Sequence, residues 1–197
     1  DLLTYVFDYT NTGTENAYRL IRFSPAIDDE YLDAYGHIPL PPYIRREDTP
    51  EDEQRYQTVY AEATGSVAAP TAGLHLTDAL LNELESGGIE IVRITLHVGL
   101  GTFTPIRSDK VEEHEMHRES FHISEESASR VNAAKDEGRP VYAVGTTSVR
   151  TLESAWDDSS GLLPAGSGET DLFIYPGYRF SVVDGLMTNF HTPKSSL

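Results

Sequence analysis

Two segments rich in small residues lie beside histidines, at places where core packing would not require polar groups. The first spans residues 66–75, and its run from Ala68 to Gly73 allows a backbone to come close to a ligand just before His75. The second, residues 97–103, leaves a predicted strand through two glycines, and ligands of open α/β sheets bind beyond the carboxyl ends of strands. It lacks the third glycine of a dinucleotide-binding fingerprint. A tight loop with a surface histidine and a plain glycine turn are the simpler alternatives.

A third segment, residues 112–119, contains two histidines and several glutamates. His114 and His117 are three residues apart, so the segment does not have the H-E-x-x-H spacing of a zinc site. Imidazole groups titrate at about pH 6.5, which suits proton transfer near neutral pH. The pattern therefore favours acid–base chemistry or substrate hydrogen bonding, with a metal site as the less favoured alternative.

A fourth segment, residues 143–153, predicts an anion-binding turn. A strand ends at Gly145, and a helix begins with threonine and serine, which are capping residues. Free backbone N–H groups at such a helix start favour an anion or a carboxylate. Arg150 either reaches the same ligand or pairs with Glu153. Near the end of the chain, residues 188–194 add an amide, an imidazole and an ammonium group.

The elements that must position these segments alternate between strands and helices. Apolar and β-branched runs predict strands at residues 2–8, 18–24, 89–98, 139–144, 172–175 and 180–183. Capping residues and glycine stops predict helices at residues 29–35, 51–64, 77–85, 124–137 and 145–155. This order favours a mixed α/β (α+β) fold with at least partly parallel pairing. Three prolines between residues 39 and 42 force an extended path, and we place a domain boundary near residue 35.

The composition is acidic and free of cysteine. The formal net charge is −17, from 32 acidic and 15 basic residues, and the absence of cysteine excludes disulfides and cysteine-ligated zinc or iron–sulfur sites. No apolar run is long enough to cross a bilayer and the start has no signal-peptide core, so we expect a cytoplasmic protein. No segment is basic, which counts against a nucleic-acid partner.

Lysine is rare, because only Lys110, Lys135 and Lys194 occur. Many acids with few lysines suggest a protein that works in high salt, where a Debye length of about 3 Å at roughly 1 M salt would weaken repulsion from RNA. Measuring the stability of the protein at different KCl concentrations tests this hypothesis, and equal stability without salt would contradict it.

Eight blocks follow one another along most of the chain, at residues 36–45, 56–61, 65–75, 95–103, 114–119, 145–153, 170–177 and 188–194. In composition and order they resemble one family, the S-adenosylmethionine:tRNA ribosyltransferase-isomerases of queuosine synthesis. The resemblance implies a large mixed α/β domain and a small inserted β-barrel domain. Residues 1–35 would then be the end of the barrel, and residues 36–197 an incomplete catalytic domain in a chain truncated at both ends.

The resemblance also implies a reaction. The ribosyl part of S-adenosylmethionine is transferred to 7-aminomethyl-7-deazaguanine at the wobble position of a tRNA with a GUN anticodon. Its isomerisation gives epoxyqueuosine, and adenine and methionine leave. S-adenosylmethionine is the co-substrate, no metal is implied, and we expect a monomer. Two alternatives stay open, a non-catalytic RNA-binding or scaffold fragment and a relative that acts on a free nucleoside.

This reaction suggests roles for the candidate residues. A base must remove a proton next to the sulfonium, and the candidates are His75, His97, His114, His117 and His191, with Glu119 behind them. A donor near adenine helps it leave, and Thr146, Thr147 or Ser148 could serve. The turn at Gly145 and the Arg150 guanidinium offer partners for the methionine carboxylate. The other expected substrate-binding residues are Pro70, Thr71, Ala72, Gly73, Gly99, Gly101, Thr102, Phe103, Asn189 and Lys194.

Overall fold

The structure is a computed structural model that describes residues 6–10, 20–41, 43–99 and 116–191. The chain divides into two compact units, residues 1–38 and 39–197. In the first unit, β1 (Val6–Thr10) pairs with β2 (Leu20–Ser24) in antiparallel register, and α1 (Asp29–Tyr35) follows. The two predicted strands and the short acidic helix are thus confirmed. The assignment of residues 1–35 to a β-barrel stays a prediction.

The second unit mixes helices and strands, which confirms the predicted α/β class. Its helices are α2 (Pro50–Arg55), the 3₁₀ helix η1 (Thr71–His75), α3 (Asp78–Ser86), α4 (Glu125–Asp136) and α5 (Thr146–Ala155). Its strands are β3 (Thr95–His97), β4 (Glu119–Ile123), β5 (Tyr142–Val144), β6 (Gly166–Thr170) and β7 (Gly185–Met187). Each of the helices α3, α4 and α5 begins within two residues of its predicted start.

Two small sheets form from these strands. The order β3–β4–β6 is antiparallel throughout, whereas β5 and β7 are parallel, so the expectation of partly parallel pairing is confirmed. Val144, the last residue of β5, pairs with Met187, the last residue of β7. Because the carboxyl ends of parallel strands meet at one edge, the start of α5 and the loop after β7 leave the sheet side by side.

The core lies between β4, α4 and α5. Alternate residues of β4 point inward, so Phe121 and Ile123 are buried while Ser120 and His122 are exposed. Burial of a side chain as large as that of Ile123 contributes about 1.5–3 kcal/mol. The helices and loops complete the core with Ala128, Val131, Ala143, Val149, Leu152, Leu163, Val182 and Val183.

The predicted helix over residues 51–64 is wrong in its second half, because α2 ends at Arg55. Tyr56 has φ −100° and ψ 37°, which leaves the helical path. The five residues 56–60 include two tyrosines, a threonine and a valine, whose side chains lose rotamer freedom in a helix. The chain instead makes a turn in which the Ala61 N–H donates to the Thr58 carbonyl at 3.2 Å.

The predicted strands over 89–98, 172–175 and 180–183 are also corrected. Only Thr95–His97 of the first is a strand. Just before it, the Arg93 carbonyl accepts a hydrogen bond from the Ser127 hydroxyl on α4 at 2.6 Å instead of a strand partner. The other two segments are irregular, and β6 and β7 form at neighbouring positions instead. Around residue 182 the backbone N–H groups donate to the Glu153 carboxylate, so they are not available to a strand ladder.

Asp52 forms a charged cap at the start of α2. Its carboxylate accepts two N–H donors from Arg46, at 2.6 and 2.7 Å, and the Thr49 backbone N–H at 2.8 Å. The Arg46 hydrogen bonds, followed by the Thr49 N–H, hold the pKa of Asp52 far below its usual range.

The lowered pKa predicts when this cap stabilises the fold. The stabilisation is complete above the unfolded-state pKa, about 3.9, and is lost as the pH falls through the lower folded-state pKa. We therefore expect Asp52→Asn to lower the thermal midpoint by the same amount from pH 7 to pH 5, and by less below about pH 4. Thermal unfolding across this range, with the exposed Glu53→Gln as control, tests the prediction. A difference that grows as the pH falls would contradict it.

Within the described ranges, no helix combines the length and apolar content needed to cross a membrane. The same residues contain no cluster of three or more histidine, aspartate or glutamate side chains arranged to hold a metal ion.

Candidate active site

A cavity of about 390 Å³ opens in the second unit where the start of α5 meets several loops. Small-molecule sites in proteins have volumes of about 300–1,000 Å³, so the space suits one nucleoside-sized ligand. Ten of the residues expected from the sequence line it, namely Pro70, Thr71, Ala72, Glu119, Gly145, Thr146, Thr147, Arg150, Asn189 and His191.

Gly145 shapes the cavity wall at the start of α5. It has φ 88° and ψ 147°, a backbone conformation that is open essentially only to glycine. Its N–H donates to the Met187 carbonyl at 2.8 Å, which joins the turn to the end of β7. No side chain caps the start of α5 by a hydrogen bond. Thr146 and Thr147, whose N–H groups belong to the first turn of the helix, line the cavity.

We expect Gly145→Ala to reduce activity by about tenfold or more, because displacing a positioned group by about 1 Å can cost up to a hundredfold. A Cβ here would lie 3.3 Å from the Thr147 hydroxyl, so the strain would fall on the cavity wall. Gly88→Ala is a matched control, since Gly88 has φ 86° but open space around it. Both variants should lose similar stability, while only Gly145→Ala loses activity per folded molecule. Equal activity losses would contradict the prediction.

Arg150 and Glu119 form a buried ion pair in the cavity wall. Arg150 Nη1 donates to Glu119 Oε2, and Arg150 Nε donates to the Leu172 carbonyl at 2.9 Å. The side chains are 12% and 4% exposed, so the pair is shielded from solvent. The suggested pairing of Arg150 with Glu153 is wrong, because Glu153 accepts the backbone N–H groups of residues 181–183.

The candidate histidines are only partly brought together. His191 lines the cavity, whereas His75 is exposed and does not, although its Nε2 donates to Oδ1 of the lining residue Asn189 at 3.0 Å. His97 and His117 do not line it, although their neighbours Val98 and Met116 do. The Nδ1 of His97 is buried and has no hydrogen-bond partner in the part of the chain that the structure describes.

Three other candidates lie close to the cavity without lining it. Gly73 is buried beneath the wall, where an added Cβ would lie 1.9 Å from the Tyr60 hydroxyl. The Ser148 hydroxyl turns back to the Val144 carbonyl at 2.8 Å, and Gly99 has open space around it. The remaining candidates fall outside the described residues, namely Gly101, Thr102, Phe103, His114 and Lys194.

Comparison with known proteins identifies the family. A sequence model described as queuosine biosynthesis protein matches residues 3–197. The chain belongs to the queuosine biosynthesis protein family. Two curated members are named S-adenosylmethionine:tRNA ribosyltransferase-isomerase. The one from Treponema denticola is 60% identical over 183 residues, which cover 93% of this chain and 53% of the relative. The one from Syntrophotalea carbinolica is 58% identical over 186 residues, which cover 94% and 54%.

This queuosine family chain thus spans about half the length of the curated relatives it matches. A crystal structure of S-adenosylmethionine tRNA ribosyltransferase from Thermotoga maritima is 35% identical to it. That match covers 64% of this chain and 38% of the other, with a TM-score of 0.47.

Nine further lining residues were not named as candidates. Six of them lie within the segments singled out from the sequence, namely Ala68, Ala69, Val98, Met116, Thr188 and Phe190, whereas Pro41, Tyr43 and Tyr56 lie outside those segments. Burial, with a smaller effect of Tyr43, raises the pKa of the Tyr56 phenol, so this hydroxyl stays protonated at neutral pH. A usable signal was present for Tyr43 and Phe190, which lie in proline-rich or polar segments without a helical or strand face to bury, whereas the sequence predicts Tyr56 inside a helix.

Proposed function

We propose that this chain forms the S-adenosylmethionine site of a tRNA ribosyltransferase-isomerase. The names of the two curated relatives support the reaction class, and the cavity supports the ligand. The observation that carries the proposal is one cavity that is lined by an Arg–Glu pair, the uncapped start of α5 and aromatic side chains. A sulfonium nucleoside has matching parts, namely a carboxylate, a cationic sulfur and a planar base.

Each part of the ligand finds a plausible partner in the lining. Tyr43, Tyr56 and Phe190 offer flat faces for adenine, and such faces also attract cations such as a sulfonium. The N–H groups and hydroxyls of Thr146 and Thr147 offer donors to an anion or to a departing adenine. The acidic chain, with a net charge of −17, also attracts a positively charged ligand over a distance.

In the proposed reaction, the ribosyl group passes to 7-aminomethyl-7-deazaguanine in the wobble position of a tRNA with a GUN anticodon. Its rearrangement gives epoxyqueuosine, with loss of adenine and methionine. We assign to His191 the removal of the proton next to the sulfonium, since it is the histidine of the described cavity lining. His75 then acts indirectly, by fixing the Asn189 amide.

The wider organisation follows from the same proposal. Residues 1–35 would be the end of a small barrel, and residues 36–197 an incomplete catalytic domain of a cytoplasmic monomer. The reaction calls for no metal. Because no segment of the chain is basic, recognition of the tRNA should depend on the modified base rather than on phosphate contacts.

Adenine release tests the proposal. The chain is mixed with S-adenosylmethionine and with either tRNA carrying 7-aminomethyl-7-deazaguanine or the free base, and released adenine is quantified. Adenine release with the tRNA but not with the free base supports the proposal. Release with the tRNA and also with the free base favours a relative that acts on a free nucleoside. No release, with S-adenosylmethionine failing to bind, would leave the non-catalytic RNA-binding or scaffold fragment.

A further inference from the structure

Three nitrogens of the Arg150 guanidinium can donate hydrogen bonds, and two of them have acceptors among the described residues. Nε donates to the Leu172 carbonyl after β6, and Nη1 donates to Glu119 on β4. The side chain itself comes from α5, so three elements hold the guanidinium in one orientation. Its freedom to rotate is therefore already lost before any ligand binds.

The third nitrogen, Nη2, differs from the other two. Arg150 Nη2 is buried and has no hydrogen-bond partner among the described residues. A buried donor without an acceptor destabilises the fold, more so if it is charged, so such groups are rare without a reason. Arg150 lines the cavity, but Nη2 itself has almost no accessible surface, so an acceptor in the cavity reaches it only if the wall shifts.

We infer that Arg150 is a preorganised receptor for the carboxylate of the methionine part of S-adenosylmethionine, and that Glu119 positions it rather than removing a proton. The inference rests on the proposed function and assigns one subsite within it. An amino-acid carboxylate is small enough to enter the cavity and accepts N–H donors strongly. The start of α5, at Thr146 and Thr147, lines the same cavity and adds a favourable dipole.

Charge balance favours this carboxylate over a tRNA phosphate. Arg150 and Glu119 already neutralise each other, so an anion that arrives alone gains little from the pair. S-adenosylmethionine brings its carboxylate together with an ammonium and a sulfonium, and these two cations offset the Glu119 charge. A backbone phosphate brings no cation and would have to leave the RNA surface to reach a side chain that is only 12% exposed.

Glu119 has the geometry of a positioning residue. Its side chain is 4% exposed, and its Oε2 is engaged by Arg150. Among the described residues Glu119 is the carboxylate paired with Arg150, so its removal would leave the buried guanidinium without that counterion. Glutamine at position 119 would keep an acceptor oxygen for Arg150, so it separates positioning from proton removal.

Calorimetric binding of two ligands tests the receptor. They are S-adenosylmethionine and its decarboxylated analogue, which keeps the adenosine, the sulfonium and the amine. We expect the unmodified chain to prefer S-adenosylmethionine by about tenfold to a hundredfold, the usual range for a charged hydrogen bond. Arg150→Gln combined with Glu119→Gln replaces the ion pair by two amides, removes both charges of the pair, and should abolish the preference.

Each other result counts against a specific claim. Equal losses for both ligands in the double variant, or no preference in the unmodified chain, would overturn the carboxylate subsite. Loss of tRNA affinity with the ligand preference intact would overturn it in favour of a phosphate contact. Failure of the unmodified chain to bind either ligand would instead overturn the proposed function. Arg130→Gln with Glu90→Gln removes an ion pair of α4 outside the cavity and should preserve the preference.

Kinetics of Glu119→Gln test the positioning role. We expect a higher KM for S-adenosylmethionine, an almost unchanged kcat for adenine release, and the same acid limb in the pH profile. A general base contributes about a hundredfold to ten-thousandfold. A fall in kcat of that size together with loss of the acid limb would show that Glu119 removes the proton, and would overturn its assignment as a positioning residue.

Discussion

Glu153→Gln is expected to lower the free energy of unfolding by about 2–4 kcal/mol. The side chain would lose one of its two acceptor oxygens, and each unsatisfied buried donor costs about 1–3 kcal/mol. Glu153 Oε1 accepts the N–H groups of Val182 and Val183, both at 2.9 Å, and Oε2 accepts that of Ser181 at 2.8 Å. Glutamine has only one acceptor oxygen. Its NH₂ group would face at least one of these donors.

Urea unfolding followed by the fluorescence of Trp156 measures this effect, since Trp156 is the sole tryptophan and packs against the core. Glu126→Gln is the matched control, because that carboxylate is 79% exposed on α4. We expect the control to change stability by less than about 0.5 kcal/mol. If the two variants behaved alike, the carboxylate would not be what holds residues 181–183 against α5.

His191→Gln is expected to reduce the rate of adenine release by about a hundredfold or more, the usual contribution of a general base. The imidazole lies on the cavity wall in the loop after β7, and glutamine retains hydrogen bonding but cannot take a proton at neutral pH. The acid limb of the pH profile should disappear in the variant. Affinity for S-adenosylmethionine should change much less, because only the proton transfer is removed.

His122→Gln provides the comparison for this variant. His122 is exposed on β4, where its Nδ1 lies 2.9 Å from the Ser167 hydroxyl, outside the cavity lining. Its rate should match that of the unmodified chain. If His191→Gln kept full activity, the proton would have to be taken by another group.

Local signals predicted the helices better than the strands. Helices α3 and α4 begin at the expected caps, where the hydroxyls of Thr77 and Ser124 accept backbone N–H groups. Such caps lie within four residues of the groups they bind, so the sequence reveals them. The strand predicted over 180–183 did not form, because Glu153, far away in sequence, accepts the N–H groups of residues 181–183.

The candidate site likewise combines a local feature that the sequence predicted with long-range contacts that it did not. The glycine turn before α5 was predicted, since a strand that ends at glycine before capping residues is a local pattern. The partner of Arg150 was not, because Glu153 is near in sequence while Glu119 becomes a neighbour only when β4 packs beside α5. Likewise, Tyr43 and Tyr56 reach the cavity through loop paths that no periodicity encodes.

By its own residues, the sequence determined the family, the mixed α/β class and the small-residue turns that permit close approach to a ligand. Only the tertiary structure decided which charged groups pair and which histidine faces the cavity. The physical reason is range, because caps and turns are satisfied within a few residues, whereas a buried charge must find its partner across elements that meet only in the folded core.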